Sequence, residues 1–182
     1  MASVLASLRL VAATWLVCVV GYTAAILAFA QIVTLETANG SLLVRADGTV
    51  VGSRLVAQAF TQPQWFWPRP SAVAHDAARA GGSNESPAGQ KLVERAKQSI
   101  AIHGATTDRP LPADLAAASG SGLDPHITVA AALHQVDRVA AARGASPSAL
   151  TALVHRHAFA PGGIFTTGRV VNVLELNLAL AR

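Results

Sequence analysis

The stretch LVAATWLVCVVGYTAAILAFAQIV, residues 10–33, decides the fold. Over residues 10–30 it has no charged residue and no proline, and its hydroxyl side chains are two threonines and a tyrosine. At 1.5 Å of rise per residue, a helix of this length spans roughly 30 Å, the hydrocarbon thickness of a bilayer. The sequence therefore predicts one transmembrane helix over residues 10–33. No comparable run follows, so residues 34–182 are expected to form a domain in water on one side of the membrane.

The charges on either side of this helix predict its orientation. Arg9 and the amino terminus precede it, whereas the next basic residue after it is Arg45. Positively charged flanks tend to stay in the cytoplasm. Residues 1–9 are therefore expected to be a short cytoplasmic tail, and residues 34–182 an extracytoplasmic domain.

A cleaved signal peptide is the alternative reading of the same run. Ala28-Phe29-Ala30 fits the small-x-small cleavage pattern, and Gln31 would become the new terminus. The product would be a free exported binding module or an exported enzyme. The apolar core of a signal peptide is only 7 to 15 residues long, so the length of this run favours an anchor.

Composition narrows the possibilities for the rest of the chain. The single cysteine, Cys18, lies within the apolar run, so burial of apolar surface rather than disulfides must hold the exported domain together. The formal net charge of +4 is scattered, with no run of basic residues. This pattern argues against a nucleic-acid partner.

The order of predicted elements indicates an α+β domain, with strands first and helices afterwards. Two β-rich runs flank Asp47-Gly48, which is a strong hairpin signal. Apolar spacing over residues 52–60 predicts a short helix. Ser86-Pro87 predicts the start of a helix that Gly104 ends.

Three further helices are predicted towards the C-terminus. Thr128 is expected to cap a helix that ends at Gly144, with Val136 on its buried face and Gln135 on its polar face. Ser146-Pro147 starts the next helix, and residues 174–180 form an amphipathic tail.

The aromatic cluster Trp65-Phe66-Trp67 is the densest outside the membrane run. Three consecutive aromatic residues cannot all point into one core, so at least one is expected to face solvent, lipid headgroups or a partner. A loop folded back over its own core is the alternative interpretation. Pro68-Arg69-Pro70 keeps this segment extended and stiff.

The Gly-rich loops do not predict an active site. Neither the phosphate-binding G-x-x-x-x-G-K-[ST] pattern nor G-x-G-x-x-G is present. Ser121, Asp124 and His126 are too close in one turn to form a hydrolytic triad, and G-x-S-x-G is absent. His155 and His157 point to different sides of a helix, so no metal site is expected there.

Taken in order, several sequence blocks closely resemble the C subunit of the Kdp-type potassium-transporting ATPase. The most specific is SGSGLDPHI at residues 119–127. The other blocks are ANGS at 38–41, residues 48–52, FWPRPSA at 66–72, GGSN at 81–84, residues 135–144 and VNVLELN at 171–177.

The resemblance implies a small accessory subunit of a bacterial or archaeal inner-membrane complex. In that family an A subunit translocates potassium and a B subunit hydrolyses ATP, so ATP, Mg and K+ are expected at the level of the complex and none is expected to bind this chain directly. The family is also described as a catalytic chaperone that raises the ATP affinity of the B subunit. The predicted topology places ATP on the opposite side of the membrane, so such an effect would have to pass through the membrane helix.

Two sets of residues are the candidate contacts with these partners. Gly21, Ala24, Ala25 and Ala28 share one face of the membrane helix and allow close packing in the bilayer. The remaining candidates lie in the exported domain: Trp65, Phe66, Trp67, Arg69, Gly81, Gly82, Ser83, Asn84, Ser119, Gly120, Ser121, Gly122, Leu123, Asp124, Pro125, His126 and Gln135.

Overall fold

The computed structural model describes residues 1–45 and 47–181. Its N-terminal part is a continuous helix made of α1 (Ala2–Trp15), a π-helical segment (Leu16–Gly21) and α2 (Tyr22–Val33). These 32 residues are long and apolar enough to cross a membrane, and none of them is buried. The predicted apolar helix is present, although it begins at Ala2 rather than at residue 10.

Contacts divide the chain into two compact units, Met1–Val50 and Val51–Arg182. After the long helix come α3 (Leu35–Ala38), β1 (Leu42–Val44) and β2 (Val50–Ser53). Strands β1 and β2 form a two-stranded sheet.

The predicted hairpin at Asp47-Gly48 is confirmed. Asp47 Oδ1 accepts a hydrogen bond of 2.9 Å from the Thr49 amide, and Gly48 has a φ of +84°. Glycine adopts this left-handed conformation without a steric penalty.

The second unit carries five helices and a second small sheet within its described residues. In chain order they are α4 (Gln90–His103), α5 (Ala113–Ala116), β3 (His126–Thr128), α6 (Val129–Arg143), α7 (Pro147–His157), β4 (Val170–Asn172) and α8 (Val173–Leu180). A short 3-10 turn covers Gly163–Phe165. Strands β3 and β4 are antiparallel, with Ile127 opposite Val171. The mixed α/β content agrees with the predicted fold class, whereas the predicted order of strands first and helices afterwards is wrong, because β3 and β4 lie among the helices.

The core lies between α6, α7 and α8 and the β3–β4 pair. Its fully buried apolar side chains include Phe66, Leu115, Ile127, Val139 and Leu176, all at most 1% exposed. Burial of such side chains stabilises the fold by roughly 1.5–3 kcal/mol each relative to full exposure. The described part of this unit has no disulfide, so packing supplies its stability.

Most predicted helix ends are confirmed by the cap geometry. Thr128 Oγ1 accepts a hydrogen bond of 3.0 Å from the Ala131 amide at the start of α6. Gly104 and Gly144 end α4 and α6 in the left-handed conformation, each with a φ of +63°. Pro147 begins α7 as predicted, whereas α4 begins at Gln90, three residues after Pro87.

Two sequence expectations about this unit are wrong. The helix predicted over residues 52–60 is absent: residues 52–53 belong to β2, and residues 54–60 form turns and irregular structure, in which Gln58 Nε2 donates to the Val51 carbonyl (2.8 Å). Gln135 lies on the buried side of α6 at 1% exposure, although its polarity placed it on the solvent face. A helix can bury an amide where backbone groups opposite it need partners.

Candidate functional site

The aromatic segment crosses the surface of the core with one side chain inserted. Phe66 is fully buried, whereas Trp65 and Trp67 are half-buried. This confirms that the three aromatic side chains do not all enter the core. It also agrees with a loop that covers its own core at its middle residue.

Two buried amide side chains hold this segment in place through hydrogen bonds to its backbone. Asn177 of α8 accepts from the Phe66 amide and donates to the Phe66 carbonyl, both at 2.9 Å. Gln135 of α6 does the same for Trp67, at 2.8 and 3.1 Å. Each amide therefore satisfies the backbone N–H and C=O groups of one residue, as a neighbouring strand would do in a sheet. Sequence reasoning gave Asn177 no role and quoted it only as the last residue of the block at 171–177; its local signal was a polar residue within an apolar helical tail.

Arg138 covers the outer side of the same segment. Its guanidinium carbon lies 3.6 Å from the centre of a Trp67 ring. It also donates to the carbonyls of Pro63 and Trp65, at 2.6 and 3.0 Å, and to Gln135 Oε1 at 2.6 Å. Burial lowers the pKa of Arg138 to about 10, so it keeps its charge at neutral pH. The segment is thus held on both sides before any partner binds.

The predicted contact loops come together beside this segment, and we call residues 69–71, 81–82 and 119–126 the loop cluster. The Gly81 amide donates to the Ser121 carbonyl at 2.7 Å, and the Ser119 amide donates to the Pro70 carbonyl at 2.9 Å. Ser71 Oγ donates to the Gly122 carbonyl at 2.7 Å. Three stretches that are far apart in the chain therefore share one surface.

An ion pair lies at the centre of the loop cluster. Arg69 Nη1 donates to Asp124 Oδ2 at 3.0 Å, and Asp124 Oδ1 accepts from the His126 amide at 3.0 Å. Burial acts to raise the pKa of Asp124, but hydrogen bonds from His126 and Arg69 outweigh it and leave the pKa below its usual value. Asp124 is therefore ionised at neutral pH.

The remaining candidate residues define the edges of the loop cluster. The Leu123 carbonyl accepts from the Ala57 amide (2.9 Å), and the Pro125 carbonyl accepts from the Val173 amide (2.9 Å). Ser83 is half-buried, and Asn84 is exposed with a φ of +50°. Gly120 is also exposed.

Two glycines allow the loops to approach this closely. A Cβ atom on Gly82 would lie 2.7 Å from the Gly120 carbonyl oxygen. One on Gly122 would lie 2.8 Å from the Gly81 carbonyl oxygen, and Gly122 also has a φ of +71°. The two Gly-rich motifs are therefore explained by their packing against each other.

The serine hydroxyls of the loop cluster are engaged in contacts within their own turn. Ser121 Oγ accepts from the Leu123 amide at 3.1 Å and lies 3.3 Å from Ser119 Oγ, so local turn contacts occupy it. Among residues 1–45 and 47–181, no group of three His, Cys, Asp or Glu side chains could hold a metal ion.

A cleft of about 430 Å³ opens between α4 and residues 67–70. Arg69, His75, Arg95 and His103 lie around it, with Trp67 in its wall. Burial lowers the pKa of His103 to about 4, with smaller effects from Arg138 and His134. His103 is therefore neutral at pH 7, whereas Arg69 and Arg95 carry positive charge.

The membrane-helix candidates lie outside the domain. Gly21 ends the π-helical segment, and Ala24, Ala25 and Ala28 follow it in α2. All four are exposed, so this small-residue face is accessible for packing.

Comparison with known proteins covers almost the whole chain. The family model for the K+-transporting ATPase c chain, KdpC, matches residues 4–182. A potassium-transporting ATPase KdpC subunit from Parvibaculum lavamentivorans is 57% identical over 182 residues, covering 100% of this chain and 97% of that protein. The KdpC subunit of Koribacter versatilis is 44% identical over 162 residues (87% and 83%), and that of Paraburkholderia xenovorans is 46% identical over 166 residues (87% and 85%).

Proposed function

We propose, on the premise that this chain belongs to the KdpC family of K+-transporting ATPase subunits, that it is an accessory subunit that assembles and stabilises the transport complex. Its partners are the potassium-translocating, channel-like A subunit and the ATP-hydrolysing B subunit. The observation that carries the proposal is the family match over residues 4–182, with a relative that aligns to the whole chain.

The long helix supports a role as membrane anchor. It is unburied over Ala2–Val33 and uncharged over residues 10–30, as expected of a helix covered by a lipid bilayer or a neighbouring helix. We propose that it spans the inner membrane once, with the N-terminus in the cytoplasm. The face of Gly21, Ala24, Ala25 and Ala28 packs beside helices of the A subunit, because small residues let helix backbones approach closely.

The exported domain acts as a rigid docking body over the external entrance for the ion. Gln135, Asn177 and Arg138 fix its aromatic segment in advance, so a partner that binds there loses little entropy in ordering it. The loop cluster, centred on Arg69 and Asp124, is the second contact surface.

The catalytic steps belong to the partners, where ATP, Mg and K+ bind. Any effect of this chain on the ATP affinity of the B subunit passes through the membrane helix, by favouring one conformation of its partners. Such coupling requires only that the helix packs better against one of two partner conformations.

A pull-down from membranes in mild detergent tests the proposal. A tag on this chain should recover the potassium-translocating and ATP-hydrolysing subunits together. Asp124→Ala should lower that recovery and slow potassium-limited growth, because it removes the acceptor of Arg69 and His126. Asp137→Ala is the matched control, since Asp137 forms an exposed ion pair with Arg109 away from the loop cluster.

Two results would refute this function. Recovery of the tagged chain alone would contradict an accessory subunit. A mature N-terminus at Gln31, read by mass spectrometry, would instead identify a cleaved, free exported protein.

A further inference from the structure

Two arginines that line the cleft beside α4 have Nε donors that the described residues leave unpaired. Arg69 Nε and Arg95 Nε are both buried, and neither has a hydrogen-bond partner among the described residues. Both arginines line the cleft. Buried polar groups in folded proteins are nearly always paired, so these two Nε atoms are exceptions among the described residues. A ligand in the cleft would bind the outer edge of each guanidinium.

The charge around the cleft selects the chemistry of that acceptor. No Asp or Glu is among the described residues that line it. Arg69 already pairs with Asp124 through Nη1, whereas Arg95 has no ion pair in the described part of the chain. Its guanidinium is therefore available for a carboxylate or phosphate, and a planar guanidinium can bind a carboxylate through two parallel hydrogen bonds.

The apolar walls favour a protein segment over a free anion. Phe60, Trp67, Pro70 and Ile102 make the surface of the cleft mostly apolar, and Ile102 is 62% exposed. A hydrated inorganic anion would satisfy the arginines but leave these side chains in water. A polypeptide that inserts an acidic side chain would pair with the arginines and also cover the apolar side chains. Interface cores combine aromatic and arginine anchors with apolar contact in this way.

We propose that this cleft binds an Asp or Glu side chain of a partner subunit of the transport complex, with Arg95 as its main ligand and Trp67 and Ile102 packed against the flanking residues. The inference rests on the proposed function. If the cleft binds in this way, the domain has a further partner contact beside α4, in addition to the loop cluster.

The test uses the full chain in its native membranes. Arg95→Met removes the guanidinium and keeps an unbranched apolar side chain, and we expect it to lower recovery of the partner subunits at least about tenfold. Lys97→Met is the matched control, because Lys97 is an exposed cation on the same helix and does not line the cleft. It should leave recovery unchanged.

A second measurement does not depend on the folding of the Arg95 variant. A photo-crosslinking amino acid at position 102 should capture a partner subunit, and mass spectrometry should locate an Asp or Glu within a few residues of the crosslink. Capture of lipid, of no partner, or of a segment without a carboxylate would overturn the inference.

Titration with inorganic phosphate and acetate separates a free anion from a protein ligand. If phosphate stabilises the free chain through Arg95 while Arg95→Met recovers its partners normally, the cleft is a small-anion site and the inference is wrong. If the unaltered chain recovers no partner at all, the proposed function fails instead. Equal recovery by the Arg95→Met, Lys97→Met and unaltered chains overturns the inference alone.

Discussion

Gln135 is a single polar residue that positions both Trp67 and Arg138 on the surface of the aromatic segment. Its amide satisfies both backbone groups of Trp67, and its oxygen also accepts from Arg138. Gln135→Leu fills a similar space but leaves the Trp67 amide and carbonyl without partners. We expect a loss of about 2–4 kcal/mol in the free energy of unfolding, because each buried unsatisfied group costs about 1–3 kcal/mol.

Near-ultraviolet circular dichroism during unfolding of the full chain in detergent would measure this loss, since it reports on the tryptophan environment. Gln90→Leu is the control, because Gln90 is exposed at the first turn of α4. Equal stability of the two variants would show that the amide contacts with Trp67 are dispensable.

His103 makes the stability of the domain depend on pH. Burial lowers its pKa from 6.5 to about 4, with contributions from Arg138 and His134. Between these values the unfolded chain binds a proton at His103 and the folded chain does not. The free energy of unfolding should therefore be highest above pH 6.5 and fall as the pH decreases towards about 4.

The pKa of His134 is lowered in the same direction, mainly by burial, and adds to this slope. His103→Gln should flatten the pH dependence of the unfolding midpoint over this window. An unchanged slope in this variant would mean that other groups, such as His134, account for it.

At the scale of elements, the packing of two Gly-rich segments can be tested with a matched pair of substitutions. Gly82→Ala places a Cβ atom 2.7 Å from the Gly120 carbonyl oxygen, whereas a Cβ on Gly120 meets nothing within 4 Å. We expect Gly82→Ala to destabilise the domain by about 1–3 kcal/mol, as overpacking usually does. Gly120→Ala should change little, and thermal unfolding of both proteins would decide the point.

The helix ends could be predicted because their signals are local. Thr128, Gly104, Gly144 and Pro147 each act within one turn of their own helix, and all four are found where the sequence placed them. The pairing of β3 with β4 could not be predicted in this way. It joins three-residue strands separated by more than 40 residues of chain, so only the tertiary fold specifies it.

The N-terminal apolar helix contains a feature that its apolar pattern did not indicate. Its π-helical segment, Leu16–Gly21, has a wider turn that ends at the first residue of the small-residue face. Such segments change which side chains face a neighbour on either side of them. The predicted face, Gly21 with Ala24, Ala25 and Ala28, lies from the end of this segment into α2 and keeps ordinary helical spacing there.

Substitutions on this face test its proposed packing. Gly21→Leu combined with Ala25→Leu should reduce recovery of the A subunit, because larger side chains keep helices apart. Thr23→Leu is the control, since position 23 lies on the opposite side of α2. Unchanged co-purification of the double variant would contradict a packing role for this face.

For the whole molecule, the sequence identified the family and the segments of the candidate site, but not how they are held. Three of the blocks that carry the resemblance, at residues 66–72, 81–84 and 119–127, have parts that the structure brings to one surface. Asn177 and Arg138, which hold the aromatic segment in place, are distant from it in the chain. Their roles depend on contacts across 73 to 111 residues, which no local pattern encodes.

The orientation of the whole molecule can be tested because the chain has a single cysteine, Cys18, within the apolar helix. In a Cys18→Ser background, cysteines are placed singly at Ser3, before the apolar run, and at Ser148, on the exposed surface of α7. A membrane-impermeant maleimide added to intact spheroplasts should label position 148 and not position 3, because Arg9 favours a cytoplasmic N-terminus. Lysis should make position 3 reactive. The reverse pattern would place the domain in the cytoplasm, where direct contact with ATP becomes possible and the docking role over the external ion entrance fails.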